Sequence, residues 1–467
     1  SNFDTSQVTN MYAVFGYCSS LQSLDLSSFD TSQVTNMLDM FRDCSGLNEL
    51  ILGEKSIFND TVHLPDSGWM GKNTHVIYGA STDFMNNYDG SHPDTFVRTT
   101  EIKYWGTSPY TFDESTGTMI VSAGTLGEYG EQPWGKGEVS AEKIQKIELV
   151  GNVVAPVESS WLFSAAEPTN TLINLNEITG MENLDTSHVI KMRSMFVDCR
   201  SLKNLDVSHF NTSNVTDMSS MFYDCRSLTT LDVSSFDTSQ VTDMGAMFYQ
   251  CNSLQNLDLS NFNTKQVTSM YSMFYGCSNL QNINMSSFDT SQVTTMYNMF
   301  TKCTSLKILD LSSFDTSQVM DMEFMFKDCT NLNELTLGKK SIFNDTVDLR
   351  DGTWLGKNTG VRYATSADFM NNYDGSQPDT FVRTETKYWG TSPYMFDETT
   401  GTLTVYAGEL DSSAGSPWNK GDVAAGNIKK IVIEGHVIAP ENSAYLFSDD
   451  TKKQFLTNLV EITGLSN

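Results

Sequence analysis

The chain has 467 residues, with 57 acidic against 29 basic side chains and a formal net charge of −28. That excess of carboxylates excludes recognition of a nucleic-acid backbone, which needs clustered Lys and Arg, and it disfavours an anionic lipid surface. Hydrophobic residues make up 39% and aromatic ones 11%, enough for a core, while no run of about 18 apolar residues offers a membrane span.

From Phe3 to Glu54 the chain repeats one unit twice, with Cys18 and Cys44 at the same place in each copy. Six more copies run from Leu184 to Lys339, and their Cys199, Cys225, Cys251, Cys277, Cys303 and Cys329 are each 26 residues apart. Such a period marks a solenoid, because one unit cannot bury its own apolar face whereas stacked units share a core. The clean copy from Phe236 to Asn261 reads FDTSQVTDMGAMFYQCNSLQNLDLSN. Leu257 and Leu259 alternate with Asn256, Asp258 and Ser260, which predicts a short strand with the leucines inward. Val241, Met244, Met247 with Phe248, Cys251 and Leu254 recur every three or four residues. That spacing predicts a tight helical turn, or a short extended piece followed by one, on the opposite face. Asp237-Thr238-Ser239 supplies the turn between the faces. The fold class is therefore a leucine-rich-repeat solenoid with a parallel sheet on one face, interrupted by small β-containing caps. The cysteines are expected as buried free thiols, one per coil. Parallel side-chain vectors oppose disulfides, and no pair has metal-ligand spacing.

A longer cycle lies above the coils. The segment from Gly53 to Gly180 recurs from Gly338 to Gly464, with KSIFNDTV at Lys55 and Lys340, NNYDGS at Asn86 and Asn371, and WGTSPY at Trp105 and Trp389. All seven Trp fall in these two copies. A one-residue slip between Val97 and Trp105 marks a linker. In chain order the expected division is residues 1–53, the end of a first array; 54–104, its C-terminal cap; and 105–183, the N-terminal cap of a second array. Then come 184–339, the second array of six coils; 340–388, a second C-terminal cap; and 389–467, the N-terminal cap of a following array. The β-prone stretches Lys146 to Val150 and Lys430 to Ile433 lie in the N-terminal caps. Because the chain opens inside a coil and stops where another array would begin, it is expected to be a fragment of a longer protein.

VTDMSSMFYDCRSLTTLDVSSFDTS, from Val215 to Ser239, closely resembles the 26-residue repeat of BspA-like leucine-rich-repeat bacterial surface proteins, known from Gram-positive and mycoplasmal cells. PWGKGEVSAEKIQKIELVGNVVAPVESSWLF, from Pro133 to Phe163, resembles the segment that precedes such arrays in lactobacilli. The resemblance covers nearly the whole chain. It implies an extracellular, cell-wall-anchored adhesin that contacts mucin, host glycoprotein or matrix. It carries over no binding residues, because the family has no defined motif for them.

The candidate site is the strand-centre row, which reads Asp25, Ile51, Asp206, Asp232, Asp258, Asn284, Asp310 and Thr336 across the coils. Asp206, Asp232 and Asp258 form a column of like charges about 4.8 Å apart, expected to raise one another's pKa. Three readings stay open for this row. It is a solvated acidic face, or a place where Ca2+ sits between Asp rows, or a concave binding surface. In the last case Asn204, Thr230, Asn256 and Asn282 join Asp206, Asp232, Asp258, Asn284 and Asp310. Raised pKa values would make binding to acidic mucin glycans stronger toward pH 4–5. Trp69, Tyr78, Tyr88, Trp105, Tyr110 and Trp134 are sugar-stacking platforms or, more simply, core. Asn86 to Asp94 reads as a plain turn. No enzyme is expected. None of His63, His75, His92, His188, His209 and His436 is shared between the copies, and no nucleophile or phosphate-loop motif occurs. A monomer without a cofactor follows, acting as an adhesin, as a spacer that presents another domain, or in matrix-protein recognition.

Overall fold

A computed structural model describes residues 3–99, 102–164, 171–448 and 456–465. Each coil has a strand side and a turn side. On the strand side Ser23–Leu26 pairs in parallel with Glu49–Leu52, and the same register joins Asn256–Asp258 to Asn282–Asn284 and Ile308–Leu311 to Glu334–Leu337. Leu257 and Leu259 are buried while Asn256, Asp258 and Ser260 are exposed, as the two-residue alternation requires.

The opposite face is a chain of tight turns and not a helical one. The N–H groups of Met244, Ala246, Phe248 and Gln250 donate to carbonyls of the next coil, whereas those of Met247, Tyr249 and Cys251 return to the carbonyl three residues earlier. With every second amide committed to a neighbouring coil, no helical ladder can form. Ala246 and Gln250 take left-handed backbone at φ 52° and 53°, and Ser194, Ser220, Ser272, Asn298 and, as an exception in size, Phe324 occupy the position of Ala246 in other coils. Small or locally bonding side chains suit that conformation. Parallel bridges run unbroken along this face through Glu158, Lys191, Asp217, Asp243, Ser269, Thr295 and Asp321.

Between the two faces Phe196, Phe222, Phe248, Phe274 and Phe300 stack with centroids 5.4–5.8 Å apart. The thiols of Cys225, Cys251, Cys277 and Cys303 each donate to the carbonyl of the stacked Phe one coil back, at 3.1–3.2 Å. Burial pushes the Cys277 and Cys329 thiols up to about 12. All eight cysteines are free and seven are buried; Cys18 is exposed, against expectation. At the corner, Thr238 Oγ1 accepts from Asn263 N (2.8 Å) and donates to Asn263 O (3.0 Å), and Thr264 and Thr290 clasp the following coils in the same way.

Between the arrays the sheet continues. Asp94–Thr99 lies antiparallel to the outer edge of Glu49–Leu52, and Gly68–Gly71 and Ile77–Tyr78 extend that sheet. Asp379–Thr384 covers Glu334–Leu337 in the same way. A second sheet follows, made of Lys103–Trp105, Ser108–Asp113, Thr118–Thr125, Lys146–Val154 and Glu177–Thr179. Val153 and Val154 pair in parallel with Leu184 and Asp185 at the start of the second array. One core thus runs from Trp105 through the coils to Phe381. The linker expected between Val97 and Trp105 includes residues 100 and 101, which lie outside the described residues.

Candidate functional site on the strand face

All nine candidate residues, Asn204, Asp206, Thr230, Asp232, Asn256, Asp258, Asn282, Asn284 and Asp310, are exposed on one face. The sheet beneath them is discontinuous. Among the described residues, Asn204–Val207, Thr230–Val233 and Asn256–Leu259 form no ladder with one another; Thr229 N and Oγ1 donate to Lys203 O (3.2 and 3.4 Å) near the base of the first two, and Ser235 Oγ to Val207 O (3.4 Å) at their far end. Asp faces Asp across both of these gaps. The ladder forms where Asp258 faces Asn284, Asp310 faces Thr336 and Asp25 faces Ile51. Like charges directly opposite destabilise a pairing, and beside the Asp258–Asn284 pair Asn282 Nδ2 donates a hydrogen bond to Asn256 Oδ1 (2.7 Å) that adds attraction. The strands bearing Asn284 and Asp310 are also unpaired with each other, and charge does not account for that gap.

Stacked rings report coil spacing at different depths. It is 4.3 Å between Tyr223 and Tyr249 at the end of the turn face, 5.8 Å between Phe222 and Phe248 in the core, and 6.4 Å between Phe210 and Phe236 beyond the strand segment. Ring spacing thus widens from the turn face toward the strand face. The strand face carries a local groove of ≈ 660 Å³, lined by Asn204, Asp206, Thr230, Asp232, Asn256 and Asp258 among others.

The carboxylates in the groove have lowered and not raised pKa values, contrary to expectation. Oδ1 of Asp206 accepts from Ser208 N (3.0 Å) and Ser208 Oγ (2.6 Å), Asp232 from Ser234 N (2.9 Å), and Asp258 from Ser260 N (3.0 Å). Bonds from the Ser two residues on hold all three below the usual carboxylate range; for Asp232 the opposing push of Asp206 is the smallest contribution. In solvent, a bond made to the charged form outweighs a screened neighbouring charge. The groove stays anionic through pH 4–5, and the physical basis for stronger binding in acid disappears.

Carboxyls with raised pKa values lie elsewhere. Burial, and then Asp217 one coil away, raises Asp243 on the turn face. Burial also raises Asp198, which sits beside Asp224 in a cluster with Arg200 and Arg226. The signal for both pairs was present in the sequence, since 198 with 224 and 217 with 243 repeat at the coil period.

Trp69, Tyr78, Tyr88, Trp105, Tyr110 and Trp134 are all at most 3% exposed and present no face to a sugar. In the Asn86–Asp94 turn, Asp89 closes onto Ser91, and Asp94 accepts from Asn73 and Thr74. Among the described residues no three His, Cys, Asp or Glu side chains converge as metal ligands, and no helix is long and apolar enough to cross a membrane.

Residues 1–59, 160–281 and 252–341 match the model of a family described as "Mycoplasma protein of unknown function, DUF285", together more than half of the chain. The chain belongs to this family. The DUF285 matches fall on the coil arrays and include the whole groove. Among solved structures, a leucine-rich-repeat protein of T. pallidum is 16% identical, covering 42% of this chain and 86% of its own at a TM-score of 0.23. One from Eubacterium ventriosum ATCC 27560 is 14% identical, covering 50% and 83%, also at 0.23. At such scores they stand as neighbours only, and the fold of this DUF285 chain rests on its own coil geometry. No curated protein matches it.

Proposed function

We propose that this chain is part of a bacterial cell-surface adhesin, anchored to the cell wall in a longer protein, whose strand face binds the glycans of mucin or other host glycoproteins. The observation that carries this reading is the groove over Asp206, Asp232 and Asp258. Each carboxylate is held in place through Oδ1 by the Ser two residues on, and all three side chains are exposed. Thr230, Asn204 and Asn256 add hydroxyl and amide groups beside unpaired backbone. Fixed acceptors and donors at coil spacing suit the hydroxyls of an extended sugar chain. Because the groove remains anionic, neutral sugars are its ligands, and sialylated or sulfated ends are repelled. The division into capped arrays supports the same picture, in which antiparallel strands shield the coil edges and keep the adhesin a monomer.

The test is retention of the purified chain on immobilised mucin. Binding is expected at pH 7 and about equally at pH 5, unaffected by a calcium chelator, and weakened about tenfold in Asp206→Ala/Asp232→Ala through loss of two or three hydrogen bonds. Absence of binding to native mucin would favour a second reading, a spacer presenting another domain. The unbroken core from Trp105 to Phe381 supports that alternative. Retention that survives deglycosylation of the mucin would instead favour recognition of protein.

A further inference from the structure

The two copies of the non-repeat module differ where their two sheets meet. In the first copy the seam is closed around Ser122 and Val150 and keeps only a smaller cleft of ≈ 360 Å³ beside His75, Thr111 and Ile120. Ile120 and Val150 of the second sheet are 9% and 6% exposed and join the core of the first sheet beside Tyr78. Ile77 N donates to Ser122 Oγ (3.2 Å), Thr111 Oγ1 donates to His75 O (2.8 Å), and His92 meets Glu148 at 3.3 Å. A Cβ built on Gly151 would lie 3.6 Å from Asn87 Cβ, so the halves touch there too.

In the second copy every one of these ties is altered. Arg362 stands for Ile77, Thr404 for Ile120, Tyr406 for Ser122 and Glu434 for Val150, while Gly360, Met395, Gln377 and Val432 replace the other bonded residues. The motifs NNYDGS and WGTSPY are unchanged, while at the seam the apolar Ile77, Ile120 and Val150 give way to Arg362, Thr404 and Glu434. In the first copy Ile120 and Val150 cross into the core that ends at Phe96, whereas no described residue from 389 onward joins the core that ends at Phe381. At Gly435 the nearest neighbours of a built Cβ all belong to Ala407, and none to Asn372, the counterpart of Asn87. An open cleft of ≈ 560 Å³ takes the place of the closed seam, lined by Arg362, Tyr363, Asp368, Asn372, Tyr406 and Glu434.

We propose that this cleft is a second binding site, for a short neutral oligosaccharide, separate from the strand-face groove. Its size lies in the range of small-ligand sites, which favour junctions between sub-domains. Tyr363 and Tyr406 are half-buried rings from opposite walls, suited to the apolar face of a sugar. Asp368 is fixed in place, its Oδ2 accepting from Ala364 N and its Oδ1 from Asn372 Nδ2, both at 2.8 Å. Among the described residues the side chains of Arg362 and Glu434 form no ion pair and Tyr406 Oη no hydrogen bond, so their donors and acceptors face the cleft uncommitted. One guanidinium against two carboxylates, in a chain of net charge −28, does not hold an anionic sugar.

The first copy provides the test. In the full chain, Arg362→Ile/Tyr406→Ser/Glu434→Val installs the residues that close the first seam. Binding is read on an array of neutral di- to tetrasaccharides ending in galactose, glucose or N-acetylglucosamine, beside their sialylated and sulfated forms. The wild type is expected to hold at least one neutral oligosaccharide, and the triple variant to lose it by about tenfold or more, as two or three hydrogen bonds require, with a melting temperature no lower than wild type. Glu434→Gln, which leaves the seam open, is expected to weaken the same sugar by a smaller factor, so a misfolded triple variant does not end the test. The same loss is expected when the triple substitution is made on the Asp206→Ala/Asp232→Ala background, which separates the cleft from the groove. Binding only to acidic sugars, binding unchanged in the triple variant, or no binding to any neutral sugar overturns the proposal.

Discussion

Asp243 shows how one carboxyl can act against the fold it belongs to. It lies in the bridged row of the turn face, with Asp217 one coil before it and Ser269 one coil after, and burial followed by Asp217 raises its pKa. A raised folded-state pKa means that the unfolded chain carries the charge more easily. Ionised Asp243 therefore costs stability at neutral pH, and that cost fades as pH falls through its folded pKa toward the ordinary carboxylate range. An amide at this position keeps the acceptor for Gly245 N, now 2.8 Å away, and removes the charge. Asp243→Asn is expected to raise the urea midpoint at pH 7 and to leave it unchanged near pH 3. An equal gain at both pH values would mean that packing, not charge, is responsible. The groove carboxylates behave oppositely. Their pKa values are lowered by Ser208, Ser234 and Ser260, so the stability they contribute is present above the unfolded-state carboxylate pKa and is lost only in stronger acid.

At the scale of the element, the strand face is a competition between ladder formation and charge. The turn face fixes each coil to the next through alternate amides, so a strand that loses its ladder can open without the coil detaching. Asp232 meets a like charge on both sides, at Asp206 and Asp258. Asp232→Asn removes both repulsions and offers an amide of the kind that joins Asn256 to Asn282. Slower hydrogen exchange is expected at Leu231, at the substituted residue and at Val233, as a closed ladder protects them; exchange at the wild-type rate would show that the gap has another cause. The inward positions of these strands were legible in the sequence, because a two-residue period states which side chain faces the core. The turn chain was not, because apolar spacing of three or four suits a helix and a run of turns alike. What separates the two is the destination of each N–H, and that depends on a neighbouring coil 26 residues away. The Asp column could be read in the same manner, while the sign of its pKa shifts could not. The Ser that decides it is only two residues on, but its bond depends on the turn after the strand.

For the whole molecule, what matters is where the core is continuous. Lys146–Val154 in the first module pairs forward with Leu184–Asp185, and its Ile147, Leu149 and Val153 belong to the core that runs on to Phe381. Ile120 and Val150 meanwhile face back into the core of the first array and its sheet. The first module is thus packed on both sides, and it joins the arrays as one stiff body. The corresponding strands of the second module, Thr402–Val405 and Lys430–Ile433, build a separate core around Trp389 and Trp418, behind a seam lined by Arg362 and Glu434. A unit with its own small core and a polar junction opens independently of its neighbours, at a lower free energy than global unfolding. Native-state hydrogen exchange in low denaturant is therefore expected to show Thr402–Val405 and Lys430–Ile433 exchanging as a group ahead of Thr118–Val121 and Lys146–Val150, although the two sets occupy equivalent places in near-identical folds. The seam-closing variant Arg362→Ile/Tyr406→Ser/Glu434→Val should bring the two groups together by tying the second module to its array. Equal protection of both groups in the wild type would mean that the seam carries no mechanical difference between the modules, and that the separation of their cores has no energetic counterpart.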